Sequence, residues 1–312
     1  MSAPEWSLLL AAALRVSAPL LLAALGETVS EAAGIINIGL EAYLLVSAFA
    51  AAVVTQFTQN AWLGLLAGVG CSLGLAALFG LLVVPLRCNQ VVVGAAMNLL
   101  ALGATGTLYR GIFGVTGKVL SVPLLPAVSL GPVERLPLLG GVLHGQNALP
   151  IGGLLIAPLL WALLYRTRAG LVLRSLGERP EAADTAGFSV GRWRFGAVLA
   201  GGALAGVGGA YLSIGDTGTF IEGMSSGRGF VALAIVIFGR WNPLGVLAAS
   251  LFYGLMGALQ FHVQALGAVL PWGGAIPHQF ILMLPQVMTL VVLAGLAGRA
   301  RQPQALGIPY DR

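Results

Sequence analysis

Acidic and amide side chains interrupt the first apolar part of the sequence. Glu27 and Glu31 are four residues apart, and so are Asn37 and Glu41. On a continuous helix each pair would therefore share one face. Ionisable side chains inside apolar segments are costly and normally face a cavity or a partner. These groups suit hydrogen bonding to a polar solute or to free backbone groups.

Further polar and aromatic side chains stand within or beside later apolar runs. Asn98 lies inside one such run, and Phe220, Glu222 and Arg228 precede a short apolar piece. We interpret seven side chains as lining a solute pathway: Glu27, Asn37, Glu41, Asn98, Phe220, Glu222 and Arg228. The alternative is that they cap broken helices and pair with Arg228 or the backbone. The sequence leaves both interpretations open.

The densest charged stretch is RSLGERPEAADTAGFSVGRW, residues 174–193. Pro180 suits the first position of a helix, Glu181 favours its positive end, and Gly187 can form a left-handed stop. We therefore predict a short helix from Pro180 to about Ala186. It could transmit force from a soluble motor protein, or it could be an ordinary connection. The residues predicted to contact a motor are Glu178, Arg179, Pro180, Glu181, Ala182, Ala183, Asp184 and Gly187.

The sequence shows no motif for nucleotide hydrolysis, metal binding or nucleophilic catalysis. The segment GIFGVTGKV has one residue too many between Gly111 and Gly117, and Val119 stands where a phosphate-binding loop needs Ser or Thr. Cys71 and Cys88 lack metal-ligand spacing. We therefore expect no enzymatic activity, no metal site and no bound cofactor in this chain.

The elements that must position these residues are membrane-spanning helices. The sequence is 58% hydrophobic and only 9% charged, whereas soluble domains are about 45–50% apolar. A spanning helix needs about 20 mostly apolar residues. Eight windows read as full crossings (6–25, 40–56, 61–84, 90–109, 147–165, 194–214, 244–261, 279–298), and two read as short pieces (28–38, 229–239). We predict an all-α integral membrane protein, a single domain over residues 1–312, with about ten passes.

The distribution of arginines predicts the topology. Basic residues concentrate in the polar segment and at the end of the chain, and both regions are therefore assigned to the cytoplasm. The net charge of +5 follows from this bias, so no nucleic-acid partner is inferred. Ten passes then place both termini in the cytoplasm, a coupling segment at about 174–191 on the same side, and a loop at about 110–146 outside.

A weak internal repeat relates two of the predicted helices. WLGLLAGVGCSLGLAALFG from Trp62 is similar to NPLGVLAASLFYGLMGAL from Asn242. Because the two helices are five passes apart in this scheme, the copies run in opposite directions. Inverted repeats of this kind are typical of transporters, whose substrate path lies at the repeat interface. Chance similarity between Gly/Ala/Leu-rich helices is the alternative.

Four blocks of the sequence resemble one transporter family. They are GETVSEAAGIINIGLEAYLLVSAFAA, LRCNQVVVGAAMNLLALG, GERPEAADTAGFSVGRWRFGAVLAGGALAGVGGAYLSIG and GRGFVALAIVIFGRWNPLG. They resemble the permeases of ATP-binding-cassette importers that serve branched-chain amino acids, ribose-type sugars and nucleosides. INIGLEA, with Asn37, Gly39 and Glu41, is most similar to the nucleoside branch.

The resemblance implies a permease of the second importer type in a bacterial inner membrane. A cytoplasmic ATPase, which would hold ATP and magnesium, would dock on the coupling segment and drive alternating access. A second permease chain, favoured as a heterodimer over a homodimer, and an extracytoplasmic binding protein or lipoprotein would complete the assembly. Nucleosides, purine ones above all, are the favoured cargo. Simple sugars or branched-chain amino acids in the same machine, and an ion-coupled secondary transporter, are the alternatives.

Overall fold

Helices make up most of the residues that the computed structural model describes, which are 3–114, 120–129, 131, 139–265 and 301–311, with positions 279, 283 and 287. The helices are α1 (Ala3–Ala32), α2 (Leu40–Thr58), α3 (Ala61–Val83), α4 (Gln90–Phe113), α5 (Leu139–Leu143), α6 (Ala148–Arg166), α7 (Arg168–Glu178), α8 (Pro180–Thr185), α9 (Val190–Ala210), α10 (Arg228–Phe238) and α11 (Pro243–Ala265). A π-helical turn, Tyr211–Thr217, extends α9. Within the described ranges no strand is formed, in agreement with the predicted all-α class.

Seven helices of the described residues are long and apolar enough to cross a membrane: α1, α2, α3, α4, α6, α9 with its π-helical turn, and α11. The shorter apolar α10 coincides with the predicted short piece at 229–239. The predicted crossing at 279–298 lies outside the described ranges. The membrane class is therefore confirmed, but the count of about ten passes is not.

The predicted short piece at 28–38 is not a separate helix. Residues up to Ala32 continue α1, and residues 33–39, here called the α1–α2 linker, have no helical structure. The helix continues past Glu27 to Ala32, and the Glu27 carboxylate accepts a hydrogen bond from the backbone N–H of Asn37 in the linker, at 2.7 Å. Acidic side chains that suggested a helix start thus lie within the end of a long helix.

Removing that predicted pass changes the relation between the two ends of the chain. Near the start of α1, Gln146 donates to the carbonyl of Ala11, so this end lies beside residues of the 110–146 loop. At the other end of α1, Gly307 donates its N–H to the carbonyl of Gly34. The first helix therefore begins on one face of the bundle and the C-terminal residues lie on the opposite face. This placement disagrees with the prediction that both termini share one side, and the orientation of the termini in the membrane stays a prediction.

Small residues let α9 contact three helices closely. Gly201 faces Gly26 of α1, where a Cβ on Gly26 would lie 2.6 Å from the Gly201 carbonyl. Ser72 of α3 donates its hydroxyl to the carbonyl of Gly202, and Ser47 of α2 does the same to Gly206. Such contacts are typical of helices packed within membranes, where small residues allow close backbone approach.

The packing also gives the helix directions. Contacts of Pro19 with Gly208 and of Gly26 with Gly201 make α1 and α9 antiparallel. By the same test α11 is antiparallel to α1, because Trp241 just before α11 contacts Glu31 and Gly254 contacts Ser17. Helix α3 is likewise antiparallel to α9. The helices α3 and α11 therefore run in opposite directions, as the inverted repeat requires. The repeat itself stays a prediction.

Candidate functional site

The starts of two helices meet inside the bundle. Glu41, in the first turn of α2, accepts hydrogen bonds from the backbone N–H groups of Gly227 and Gly229 at the start of α10, both at 2.7 Å. Gly229 is so close to α2 that a Cβ would overlap the Glu41 backbone. Helix N-termini carry partial positive charge. The Glu41 carboxylate therefore lies where two such ends converge.

This junction lies one α10 length away from the end of α1. Trp241, just after α10, donates its indole N–H to Glu31, one residue before the end of α1. An eleven-residue helix such as α10 is about 16 Å long, which is about half of a bilayer core of about 30 Å. The start of α10, with Glu41, therefore lies about 16 Å along α10 from the end that is beside Glu31.

Glu27 and Asn37 hold the α1–α2 linker in shape. Glu27 accepts from the Asn37 N–H, and the Asn37 side-chain oxygen accepts from the Gly39 N–H at 2.9 Å. Both side chains are buried, with 0% and 1% exposure. In this conformation both side chains therefore bind backbone groups of the linker. Their assignment to a solute pathway stays a prediction.

Asn98 attaches α4 to the start of α2. Its side-chain oxygen accepts from the Ala42 N–H at 2.9 Å, and its amide donates to the Ile38 carbonyl at 3.0 Å. Asn98 begins a stripe along one face of α4, because side chains four residues apart on a helix are neighbours. The stripe continues with Leu102, Gly106 and Arg110.

The part of that stripe from Leu102 to Arg110 lines a cavity of 330 Å³. Its wall consists of Leu102, Gly103, Gly106, Thr107, Arg110, Glu222 and Gly223. Pockets for small molecules start at about 300 Å³. The cavity therefore has room for a small polar molecule beside a helix face that leads to the Glu41 junction.

An ion pair forms one wall of this cavity. Arg110 contacts Glu222 with two hydrogen bonds, at 2.9 and 2.7 Å. These hydrogen bonds hold the pKa of the Glu222 carboxyl below its usual value. The other member of the predicted pathway set in this loop, Phe220, is 1% exposed and packs edge-on against Phe49. Phe220 lies in the same loop as Glu222 but is not among the residues that line the cavity.

Arg228 binds its own loop. Its guanidinium donates to the carbonyls of Met224 and Ser225, at 2.7 and 3.3 Å, and it is half-buried at the first position of α10. The predicted pathway residues thus fall into three places: Glu27 and Asn37 in the linker, Glu41, Asn98 and Arg228 around the helix junction, and Phe220 and Glu222 at the cavity.

The predicted coupling segment forms a helical turn on the face of the C-terminal residues. Helix α8 begins at Pro180, and Gly187 after it has φ +89°, as predicted. Pro180 and Ala183 are buried, Asp184 is half-buried, and the remaining residues of the set are exposed: Glu178, Arg179, Glu181, Ala182 and Gly187. The segment therefore presents a charged surface on an apolar base.

Sequence reasoning missed the helix α7 and the C-terminal segment, residues 301–311. Tyr310 donates its hydroxyl to Asp184 of α8 at 3.1 Å, and Asp311 pairs with Arg87 at 2.7 Å. These contacts join positions more than a hundred residues apart, which no local pattern reveals. For α7, Thr167 was an available signal, because its hydroxyl accepts the Gly170 N–H as an N-cap.

The sequence was compared with protein families and known proteins. The profile of the family described as branched-chain amino acid transport system, permease component, matches residues 9–293. A putative glucose ABC transporter permease of Haloferax volcanii is 38% identical over 287 residues, which cover 90% of this chain and 87% of that protein.

Two nucleoside-transport proteins are similar over nearly their full length. A nucleoside ABC transporter permease of Lactococcus lactis is 35% identical over 94% of this chain and 93% of its own. A guanosine ABC transporter permease of Bacillus subtilis is 34% identical over 97% of this chain and 96% of its own. No solved structure matches the chain significantly.

Proposed function

Because this chain belongs to the permease family of branched-chain amino acid transport systems, we propose that it is a permease subunit of an ABC importer that carries nucleosides into the cell. The observation that supports this cargo is the similarity to the nucleoside and guanosine permeases over at least 93% of either sequence. Among nucleosides, purine nucleosides are the cargo that we propose. The chain itself would not hydrolyse ATP.

Glucose is the second candidate cargo. The Haloferax volcanii protein named as a putative glucose permease is 38% identical, slightly more than the two nucleoside relatives. A nucleoside and a sugar share hydroxyl groups that side-chain amides and carboxylates can bind. They differ in the flat base, which needs an apolar or aromatic wall.

The proposed route begins at the 330 Å³ cavity and follows the α4 stripe toward the Glu41 junction. At the cavity, Arg110 and Glu222 offer polar groups for ribose hydroxyls or base edges. At the lower end, Glu41, Asn98 and Arg228 surround the two helix starts. Broken helices that point their N-termini at the substrate site, and an inverted repeat around it, are features of transporters.

The proposed motor site is the exposed surface of the coupling segment. A cytoplasmic ABC ATPase, which binds ATP and magnesium, would contact Glu178, Arg179, Glu181 and Ala182, with Pro180, Ala183, Asp184 and Gly187 fixing the shape of the turn. The exposed mixed charges on a buried apolar base support such a contact. This assignment places the face with the C-terminal segment in the cytoplasm, in a bacterial plasma membrane.

Two further partners follow from the proposal. A second permease chain, identical or related, would cover the exposed faces of α3 and α4, of whose spans only 33% and 22% are buried within this chain. A substrate-binding protein or lipoprotein would deliver cargo at the opposite face, near the Arg110–Glu222 pair.

The test is uptake by the complete assembly, purified from its native membrane and reconstituted into liposomes. Labelled guanosine, glucose and leucine are offered with the binding protein outside and ATP inside. ATP-dependent guanosine uptake that survives a protonophore supports the proposal. Uptake of glucose or leucine alone under these conditions refutes the cargo. Uptake that needs no ATP and stops with the protonophore refutes the importer.

A further inference from the structure

Arg194 is the first feature that the proposed function leaves unexplained. It lies in α9, is only 2% exposed, and was not among the predicted site residues. Its guanidinium donates to three backbone carbonyls: Nε to Ala33 at 3.0 Å, Nη1 to Ile308 at 3.0 Å and Nη2 to Leu176 at 3.4 Å. A buried charge is retained at a cost unless its hydrogen bonds are satisfied.

The three carbonyls belong to segments that are far apart in the sequence. Leu176 lies in α7, which leads directly into α8. Ala33 is the first residue of the α1–α2 linker, and Ile308 lies in the C-terminal segment. The guanidinium is planar and carries five donors in a fixed fork, so it can hold three segments in one arrangement.

Other hydrogen bonds tie the same segments together. Ala305 donates its N–H to the carbonyl of Gly177 in α7 at 2.7 Å, and Gly307 donates to Gly34 in the linker at 3.0 Å. Tyr310 contacts Asp184 of α8. Helix α8 is packed on α7 and the start of α9 through a cluster of Val172, Leu176, Ala183 and Val190. The coupling segment and the beginning of the linker therefore form one connected body.

The far end of the linker reaches the helix junction. Asn37 is bound to Glu27, and the Ile38 carbonyl and Ala42 N–H on either side of the α2 start are both bound to Asn98. Only a few residues separate Ala33, beside Arg194, from the start of α2, where Glu41 contacts α10. A displacement of the linker would therefore move the two helix starts.

We propose that Arg194 is a positioning residue that transmits movement of the ATPase-docking helix α8 to the α1–α2 linker, and through it to the helix junction on the substrate path. The inference rests on the proposed function. Lysine cannot take the place of Arg194, because a single ammonium group cannot keep the fork geometry.

The first test compares Arg194→Gln and Arg194→Lys with Arg192→Gln, an exposed arginine two residues away on α9. The reconstituted assembly is assayed for cargo uptake and ATP hydrolysis together. We expect Arg194→Gln to lower the uptake per ATP hydrolysed at least tenfold and Arg194→Lys at least threefold, with the ATPase still bound. Arg192→Gln should stay within twofold of wild type. If the Arg194→Gln protein does not accumulate in the membrane, the uptake per ATP hydrolysed by Arg194→Lys alone tests the proposal.

A merely structural role would lower uptake and hydrolysis in parallel and leave their ratio unchanged, and that result would overturn the proposal. A ratio equally reduced in Arg192→Gln would overturn it too, because the effect would then be one of charge.

A second readout does not depend on the cargo. In a chain without native cysteines, Ile36→Cys in the linker is labelled with a thiol reagent, with and without ATP trapped by vanadate. The labelling rate should change at least threefold with wild-type Arg194 and less than 1.5-fold with Arg194→Lys. A rate that responds equally in both, or in neither, refutes the inference. A responding linker in an assembly that imports neither nucleoside nor glucose refutes the proposed cargo and leaves this inference standing.

Discussion

Replacing Glu41 with glutamine should lower the free energy of unfolding. The Glu41 carboxylate accepts two backbone N–H groups of the α10 start at 2.7 Å each. Glutamine keeps one oxygen acceptor and turns an amide N–H₂ toward the other donor, so one hydrogen bond is lost and one N–H is left without an acceptor. Hydrogen bonds to charged groups contribute about 1.5–3 kcal/mol. The expected loss is therefore about 1.5–3 kcal/mol.

The assay is reversible unfolding in mixed detergent micelles, followed by tryptophan fluorescence. The matched control is Glu178→Gln, the same exchange at an exposed position, which should stay within about 0.5 kcal/mol of wild type. Glu41→Ala, which removes both acceptors, should be less stable than Glu41→Gln. If Glu41→Gln unfolds with the wild-type free energy, the carboxylate does not stabilise the junction and the reasoning fails.

Three other predictions concern the cavity and the coupling segment. The difference in thermal midpoint between wild type and Glu222→Gln should be constant from pH 8 to about 5 and shrink below the usual glutamate pKa of about 4.3. The reason is that Arg110 lowers the pKa of Glu222, so the ion pair is lost only when Glu222 is protonated. A difference that grows toward acid pH would contradict this prediction. Gly187→Val should destabilise the turn after α8 by about 1–2 kcal/mol, which is the cost of a side chain at positive φ. It should also reduce co-purification of the ATPase with the permease. Unchanged co-purification would argue against a docking role of the coupling segment. Gly103→Cys, where a Cβ meets nothing within 4 Å, should transport normally in a chain without native cysteines until a bulky thiol reagent blocks the cavity. Gly74→Cys, equally open on α3, is the control that labelling should not block.

Apolar length made the single helices predictable. The window 40–56 became Leu40–Thr58, and 147–165 became Ala148–Arg166, because a segment must bury its backbone in helical hydrogen bonds wherever it crosses lipid. The same reasoning failed at 28–38. There, an acid-rich sequence suggested a helix start, but α1 runs through it to Ala32 and Glu27 binds the linker that follows.

The sequence singles out the polar residues of the candidate site, but it does not reveal their arrangement. Acidic and amide side chains in apolar runs were identified correctly as unusual, but their partners are backbone groups set by tertiary packing. Glu41 binds an N–H group 186 residues further along the chain. Arg194 was visible only as one more basic residue near the polar segment, because its three acceptors come from distant segments. Such contacts leave no spacing pattern.

The placement of the two ends of the chain on opposite faces bears on how the protein enters its membrane. If the coupling segment is cytoplasmic, the start of α1 lies on the far side of the membrane and must be translocated across it. Residues 1–14 contain neither lysine nor arginine, and it is these two side chains that retain a flanking segment on the cytoplasmic side. These fourteen residues thus carry no basic charge that opposes export of the start of α1.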